Sequence, residues 1–129
     1  MAEIHGRVWW SELMTRDVPG AVEFYETVCG WTVATMDMPE GPYRVCHADG
    51  VPVAGIMDMT PLTHLDGVRS HWMTYLAVDD VDHAMTETLA AGGVVQRVPF
   101  DIPEVGRVAI VTDPGGGVVG LITPVLPAS

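Results

Sequence analysis

The sequence predicts an α+β fold of two βαβββ modules, in which each helix packs on the outer face of a curled mixed sheet. Two observations lead to this prediction. The two halves of the chain repeat one another, and turn residues divide each half into one strand, one helix and three further strands. The 129 residues are expected to form a single domain, with module one at about 6–58, a linker at 59–69 and module two at about 70–124.

Module one opens with an apolar run at residues 8–15 that is typical of a strand. Asp17 then starts a helical stretch, and Gly30 ends it. Turn residues at 39–42 and 49–50 separate the strands that follow. These three strands are predicted near residues 32–36, 43–47 and 53–58.

Module two follows the same plan. An apolar run at residues 71–78 predicts its first strand, Asp80 starts its helix, and Gly92 and Gly93 end that helix. Its other strands are predicted near residues 94–98, 107–112 and 118–122.

A duplication explains the similarity of the two halves. Several pairs match when the halves are aligned: Asp17 with Asp80, Trp9 with Trp72, Leu13 with Leu76, and Ala21 with Ala84. After a small difference in loop length, Gly55 aligns with Gly120.

Composition excludes several classes of function. Six basic and seventeen acidic residues give a net charge of −11, which repels phosphate backbones and argues against nucleic-acid binding. No apolar run approaches the roughly 18 residues that a membrane span requires. The first five residues lack a signal-peptide pattern, and Cys29 and Cys46 form no disulfide framework, so a cytoplasmic protein is expected.

Three groups of residues carry a resemblance to a known family: Asp17-Val18 with Phe24-Tyr25 and Gly30-Trp31, Asp80-Val81 with Ala91-Gly92-Gly93, and Asp113-Pro114 with Gly116 and Gly120-Leu121. Over roughly residues 6–124 the chain resembles the vicinal-oxygen-chelate superfamily of glyoxalase, bleomycin-resistance and dioxygenase proteins. It also looks like a subgroup labelled hydroxylase-like or glyoxalase-like. The resemblance implies a half-barrel around a small-molecule cavity, and a homodimer of the kind that antibiotic-resistance members form.

Metal-binding members of this superfamily hold a divalent ion with four inward side chains. Carried over residue by residue, those positions are Trp10, Gly55, Met73 and Gly120. None of them offers an oxygen or nitrogen ligand, so no metal and no other cofactor is predicted. The alternative is a displaced site at Glu12 and His71, two residues away on the same strand faces, with His5 or His47 helping.

Without metal ligands, the inward face is typical of a small-molecule site with aromatic and thioether walls. The predicted lining residues are Trp10, Met14, Met57, Met73, Tyr75 and Ile122, with Gly55 and Gly120 leaving room between them. The paired glycines favour a cavity with room for a ligand ring, because glycine in a strand often marks a close approach. The alternative is that these side chains simply fill the core.

Glu12 is a candidate catalytic residue because it is in phase with Trp10 and Met14 and so points inward with them. A buried carboxylate of this kind is a candidate general acid or base, or an anchor for a ligand. Structural pairing with Arg44 or Arg107, or exposure through a shift of phase, are the alternatives.

Tyr75 and His71 are the other two candidate catalytic residues. Tyr75 takes the matching place in module two, where its hydroxyl would bond a ligand or Glu12, or reach solvent at the rim. His71 carries an imidazole that can transfer protons near neutral pH, although a histidine that opens a strand is often exposed.

The predicted function is metal-independent binding of a small molecule, in the manner of bleomycin-resistance proteins, which sequesters or processes an apolar or aromatic metabolite or antibiotic. The acidic charge favours a cationic ligand. The alternative is a lyase, isomerase, hydroxylase or dioxygenase-like enzyme that uses Glu12 as general acid or base, or a displaced metal site.

Overall fold

The computed structural model describes residues 3–38, 41–102 and 105–125. Within these residues lie eight strands, two α-helices and one short 3₁₀ helix, which confirms the predicted α+β class. Contacts between residues divide the chain into two compact units. One is Trp10–Met73, and the other combines the chain up to Trp9 with the chain from Thr74 onwards.

The unit Trp10–Met73 contains the first βαβββ module. Its elements are β1 (Val8–Thr15, which enters the unit at Trp10), α1 (Val18–Cys29), β2 (Thr32–Met38), β3 (Gly41–Ala48) and β4 (Val51–Asp58). Strand β1 runs parallel to β4, whereas β3 runs antiparallel to β4 and β2. The result is a mixed sheet, as predicted, and β1 has the bounds that the sequence indicated.

The second unit repeats this order. Its elements are β5 (His71–Ala77, which enters the unit at Thr74), α2 (Val81–Ala90), β6 (Val94–Ile102), β7 (Gly106–Thr112) and β8 (Val118–Pro124). Strand β5 runs parallel to β8, and β7 runs antiparallel to β8 and β6. The prediction of two βαβββ modules is therefore confirmed. A short 3₁₀ helix at Thr63–Leu65 lies in the predicted linker.

Both helices begin with the same cap, which explains the repeated Asp-Val pair. The Asp17 side chain accepts a hydrogen bond from the Gly20 backbone N–H at 3.0 Å, and Asp80 accepts one from Asp82 at 3.0 Å. Gly30 ends α1 in the left-handed conformation, with φ of 69°, which glycine adopts without strain.

Each helix covers one face of its own sheet. The buried cluster beside α1 contains Leu13, Val18, Cys46, Ala54 and Ile56. The corresponding cluster beside α2 contains Val81, Ala84, Ala109, Val111 and Leu121. Because side chains alternate along a strand, the residues between these core positions lie on the opposite face of each sheet.

In the part of the chain that the structure describes, neither helix is long and apolar enough to cross a bilayer. Helix α1 has 12 residues and α2 has 10.

Candidate functional site

The strand face that points away from α1 brings five of the predicted site residues together. Trp10, Glu12 and Met14 alternate along β1, and the parallel register places Glu12 beside Gly55 and Met14 beside Met57 on β4. This face is apolar except for Glu12, whose side chain is buried at 8% exposure. The predicted phase of β1 is therefore correct.

Glu12 is held by a short chain of hydrogen bonds. The Tyr43 hydroxyl on β3 donates to Glu12 Oε2 at 2.8 Å, and the Trp10 indole N–H donates to Tyr43 Oη at 3.2 Å. We refer to these three residues as the Trp10–Tyr43–Glu12 chain. These hydrogen bonds replace some of the bonds to water that the Glu12 carboxylate loses on burial.

Gly55 provides the space in which the Tyr43 phenol lies. A Cβ atom at Gly55 would overlap both the hydroxyl oxygen and the Cζ atom of Tyr43. The sequence led us to expect that this glycine leaves room for a ligand ring. Instead, the chain's own tyrosine occupies that room.

The second unit contains an equivalent pair. Tyr75 on β5 lies beside Gly120 on β8 in the parallel register, and a Cβ atom at Gly120 would overlap the Tyr75 ring. Tyr75 is buried, with 6% of its surface exposed. Ile122, on the same face of β8 by strand alternation, is buried as well.

The methionines predicted to line a cavity differ in their surroundings. Met14 and Met73 are buried, whereas Met57 is half-buried and lines a cavity of about 270 Å³. The other lining residues are Gly41, Pro42, Asp58, Pro61 and Leu62. Among these described residues Asp58 alone is charged, so the cavity has mainly apolar walls and one carboxylate.

His71 is half-buried, and its Nδ1 lies 2.7 Å from the carbonyl oxygen of Arg69. A carbonyl oxygen can only accept, so His71 Nδ1 donates this hydrogen bond. The imidazole is thus oriented by the backbone two residues earlier.

The two arginines proposed as partners of Glu12 lie in other surroundings. Arg107 forms ion pairs with Asp82 at 2.7 Å and Asp101 at 3.2 Å. Hydrogen bonds from Arg107 lower the pKa of the Asp82 carboxyl. Arg44 lines a separate groove beside α1, whose other lining residues include Glu23 and Glu26.

The residues at the superfamily's ligand positions do not fit a divalent metal ion. The Trp10 indole N–H donates to Tyr43 and has no lone pair for a metal, Gly55 and Gly120 have no side chains, and the Met73 thioether is too soft for a hard ion. Among the described residues, no three His, Cys, Asp or Glu side chains are placed to hold an ion. The structure gives no support to the displaced site with His5 or His47.

Tyr43 is the site residue that sequence reasoning missed. The sequence placed it at the start of a strand but gave it no role. An aromatic residue one strand away from a glycine is a usable signal, because aromatic rings cover glycines across strands. Using that signal requires the register of β3 against β4, which sequence alone does not give.

Comparison with known proteins agrees with this architecture. The family profile described as Glyoxalase/Bleomycin resistance protein/Dioxygenase superfamily matches residues 7–121. The protein CFP32 of Mycobacterium bovis, named provisionally as a glyoxylase, is 40% identical over 120 residues, which cover 92% of this chain and 44% of the relative. The anthracycline biosynthesis protein DnrV of Streptomyces peucetius is 30% identical over 118 residues, which cover 83% of this chain and 43% of the relative.

A solved structure shares the fold at low sequence identity. It is a methylmalonyl-CoA epimerase variant of Streptomyces coelicolor in complex with 2-nitronate-propionyl-CoA, with a TM-score of 0.69 and 17% identity. The match covers 95% of this chain and 99% of the epimerase chain. The present chain spans less than half the length of the curated relatives it matches. The family match extends over most of its residues, and the chain belongs to the Glyoxalase/Bleomycin resistance protein/Dioxygenase superfamily, also known as the vicinal-oxygen-chelate superfamily.

Proposed function

We propose that this chain binds a small, largely apolar organic molecule on the face formed by β1 and β4, without a metal ion, and that Glu12 is the polar anchor for that molecule. One observation carries the proposal: a buried carboxylate is held by Tyr43 in the middle of an otherwise apolar face.

This arrangement resembles small-molecule sites in general. Such sites have hydrophobic and aromatic walls with few polar groups, each fixed in position by the surrounding structure. Here Trp10, Met14 and Met57 supply the apolar walls, and the cavity of about 270 Å³ lies against Met57. Burying a carboxylate lowers stability unless hydrogen bonds compensate for the lost water, and we propose that recognition of a ligand is the reason for its presence here.

The relatives support a small organic ligand. One is named as a glyoxylase and another for anthracycline biosynthesis, and the epimerase of the same fold binds an acyl-CoA analogue. These names support the class of ligand and do not identify the molecule. We also propose that the chain forms a homodimer, as its resemblance to antibiotic-resistance proteins implies.

Native mass spectrometry compared with denaturing mass spectrometry tests this proposal. We expect the protein, purified without chelator, to keep an organic mass under native conditions, and the same spectrum reports whether a dimer forms. Glu12→Gln should lose that mass, whereas the matched control Glu23→Gln, on the exposed side of α1, should keep it. A stoichiometric divalent ion, or an unchanged organic mass in Glu12→Gln, would contradict the proposal.

Catalysis by Glu12 is the second candidate function, and the hydrogen bond from Tyr43 favours it because that bond fixes the direction of the carboxylate. In this case Glu12 acts as a general base on a small carbonyl substrate. The same variant separates the two candidates. A general base predicts that Glu12→Gln removes turnover and leaves ligand affinity nearly intact, whereas an anchor predicts that affinity falls.

A further inference from the structure

We infer that the cavity beside Met57 is a binding site for an amine with a small apolar body, and that Asp58 receives the ammonium group. The inference goes beyond the proposed function, because Glu12 is not among the described residues that line this cavity. It rests on where the cavity lies, how its walls are fixed and which group in it is charged.

The cavity lies at one end of the β3–β4 pair. Antiparallel pairing places the start of β3 beside the end of β4, and the linker that follows β4 supplies a third wall. The described lining residues are Gly41, Pro42, Met57, Asp58, Pro61 and Leu62. The volume of about 270 Å³ is just below the roughly 300–1,000 Å³ of sites for drug-sized molecules, so the ligand must be small.

The linker wall is fixed to the sheet by hydrogen bonds. Met59 is fully buried, and its backbone N–H donates to the carbonyl oxygen of Thr15 on β1 at 2.9 Å. The Leu62 N–H donates to the Met59 carbonyl oxygen at 3.0 Å, which forms a turn directly after β4. Because these walls are ordered without a ligand, little entropy is lost in ordering them when a ligand binds.

Asp58 provides the charge in this cavity. Its Oδ1 atom accepts a hydrogen bond from the Thr60 backbone N–H at 2.9 Å, and within the described part of the chain no other group donates to this carboxylate. A carboxylate has about four acceptor positions, so positions remain for a ligand. Asp58 is only half-buried, and an aspartate that keeps contact with water is ionised near neutral pH.

A ligand that fills this cavity therefore needs an apolar body and a group that donates a hydrogen bond. Pro42, Met57 and Leu62 contact the apolar body. An ammonium group meets the carboxylate in a charge-assisted hydrogen bond, which is stronger than the bond that a neutral alcohol forms. A ligand carboxylate would bring like charges together. The net charge of −11 also raises the local concentration of cations.

An NMR titration of the whole chain near neutral pH tests the inference with probes of one skeleton: 3-phenylpropylamine, 3-phenylpropan-1-ol and 3-phenylpropanoate. We expect the amine to shift the amide signals of Met57, Asp58 and Leu62 and to bind about fivefold more tightly than the alcohol. The carboxylate should bind most weakly. Absence of binding by the amine, binding that leaves these signals unmoved, or equal affinities for the amine and the alcohol would overturn the inference.

Asp58→Asn separates the charge of this residue from its part in the turn. The amide oxygen of asparagine can accept the same hydrogen bond from the Thr60 N–H, so the turn is kept while the negative charge is removed. The ratio of amine affinity to alcohol affinity should fall towards one. If Asp58 serves only to form the turn, the ratio keeps its wild-type value, and the inference is wrong.

Asp49→Asn is the matched control, because it removes the same charge from the turn between β3 and β4 at the other end of these strands. Eight residues of β3 separate the two ends by about 25 Å, well beyond the screening distance of about 8–10 Å. Asparagine also tolerates the positive φ of 51° at this position. This variant should keep the wild-type ratio.

An equal fall of the ratio in both variants would show that the preference arises from net charge and would overturn the role of Asp58. The proposed function stands in each of these cases, because its own test is the organic mass that is lost in Glu12→Gln.

Discussion

The phenol of Tyr43 occupies the side-chain space of Gly55, and its hydroxyl is thereby brought to the Glu12 carboxylate. The second module repeats the relationship, since the ring of Tyr75 lies over Gly120. In each module, a glycine at one of the superfamily's metal-ligand positions thus accommodates a tyrosine. The glycine serves the packing of an aromatic side chain rather than an empty space.

Gly55→Ala should destabilise the fold, because the new methyl group overlaps the Tyr43 phenol and forces it to move. We expect the free energy of unfolding to fall by about 1–3 kcal/mol, the usual effect of overpacking. Urea denaturation followed by tryptophan fluorescence measures this change. Gly115→Ala is the control, since a Cβ there meets only ordinary contact at 3.6 Å. Equal effects of the two substitutions would contradict the packing argument.

The two cysteines should differ in reactivity towards a thiol reagent. Burial raises the pKa of the Cys46 thiol from 9.0 to about 11, and Glu26 adds to the shift, whereas Cys29 is exposed. Because the thiolate is the reactive form, Cys46 should react far more slowly than Cys29 at about pH 8. Ellman's reagent should label one thiol quickly and the second only after unfolding. Cys29→Ser should remove the fast phase, and two fast thiols in the wild type would show that Cys46 is accessible.

Arg107 should stabilise the fold through its ion pair with Asp82, and this stabilisation should be lost at low pH. Its hydrogen bond lowers the pKa of Asp82 from the ordinary 3.8, so the stabilisation is present above that value. It is lost as the pH falls through the lower, folded-state pKa. Melting temperatures of the wild type and Arg107→Gln should therefore converge below about pH 4. The pair is exposed, so added salt should reduce the difference at neutral pH, and a difference that persists in acid would rule out this ion pair as its source.

Arg16 should fix the linker that borders the cavity. Its guanidinium donates to the carbonyl oxygens of Leu65 and Val68, both at 2.6 Å. Arg16→Gln should raise the amide hydrogen-exchange rates of residues 61–69 and lower the free energy of unfolding by about 1 kcal/mol. Hydrogen-exchange mass spectrometry localises the effect. Arg7→Gln, another exposed arginine, is the control, and unchanged exchange in Arg16→Gln would contradict this role.

The positions of the strands and helices were predicted well from local sequence patterns. The run Val8–Thr15 was predicted to the residue, because an apolar segment ends there at the cap Asp17. The three strands that follow each helix were longer than predicted, as with β6, which continues to Ile102. Hydrogen bonding to a neighbouring strand continues a strand across residues of low strand propensity, such as Pro99. The sequence around a residue does not show which strand will pair with it.

The candidate site was likewise predictable only in part. The alternation of side chains along a strand placed Glu12 on the face of Trp10 and Met14, and the structure agrees. The partner of Glu12 was not predictable in this way, because Tyr43 lies 31 residues away and its position depends on the register of three strands. The arginines considered from sequence were chosen by charge, and Arg107 instead pairs with Asp82.

The sequence by itself determined the repeat, the order of elements and the face to which each strand residue belongs, since these depend on neighbours along the chain and on a period of two. The tertiary structure alone decided that Tyr43 fills the space at Gly55 and donates to Glu12. That outcome depends on which strands lie side by side and in which register, and only the packing of the whole module fixes them.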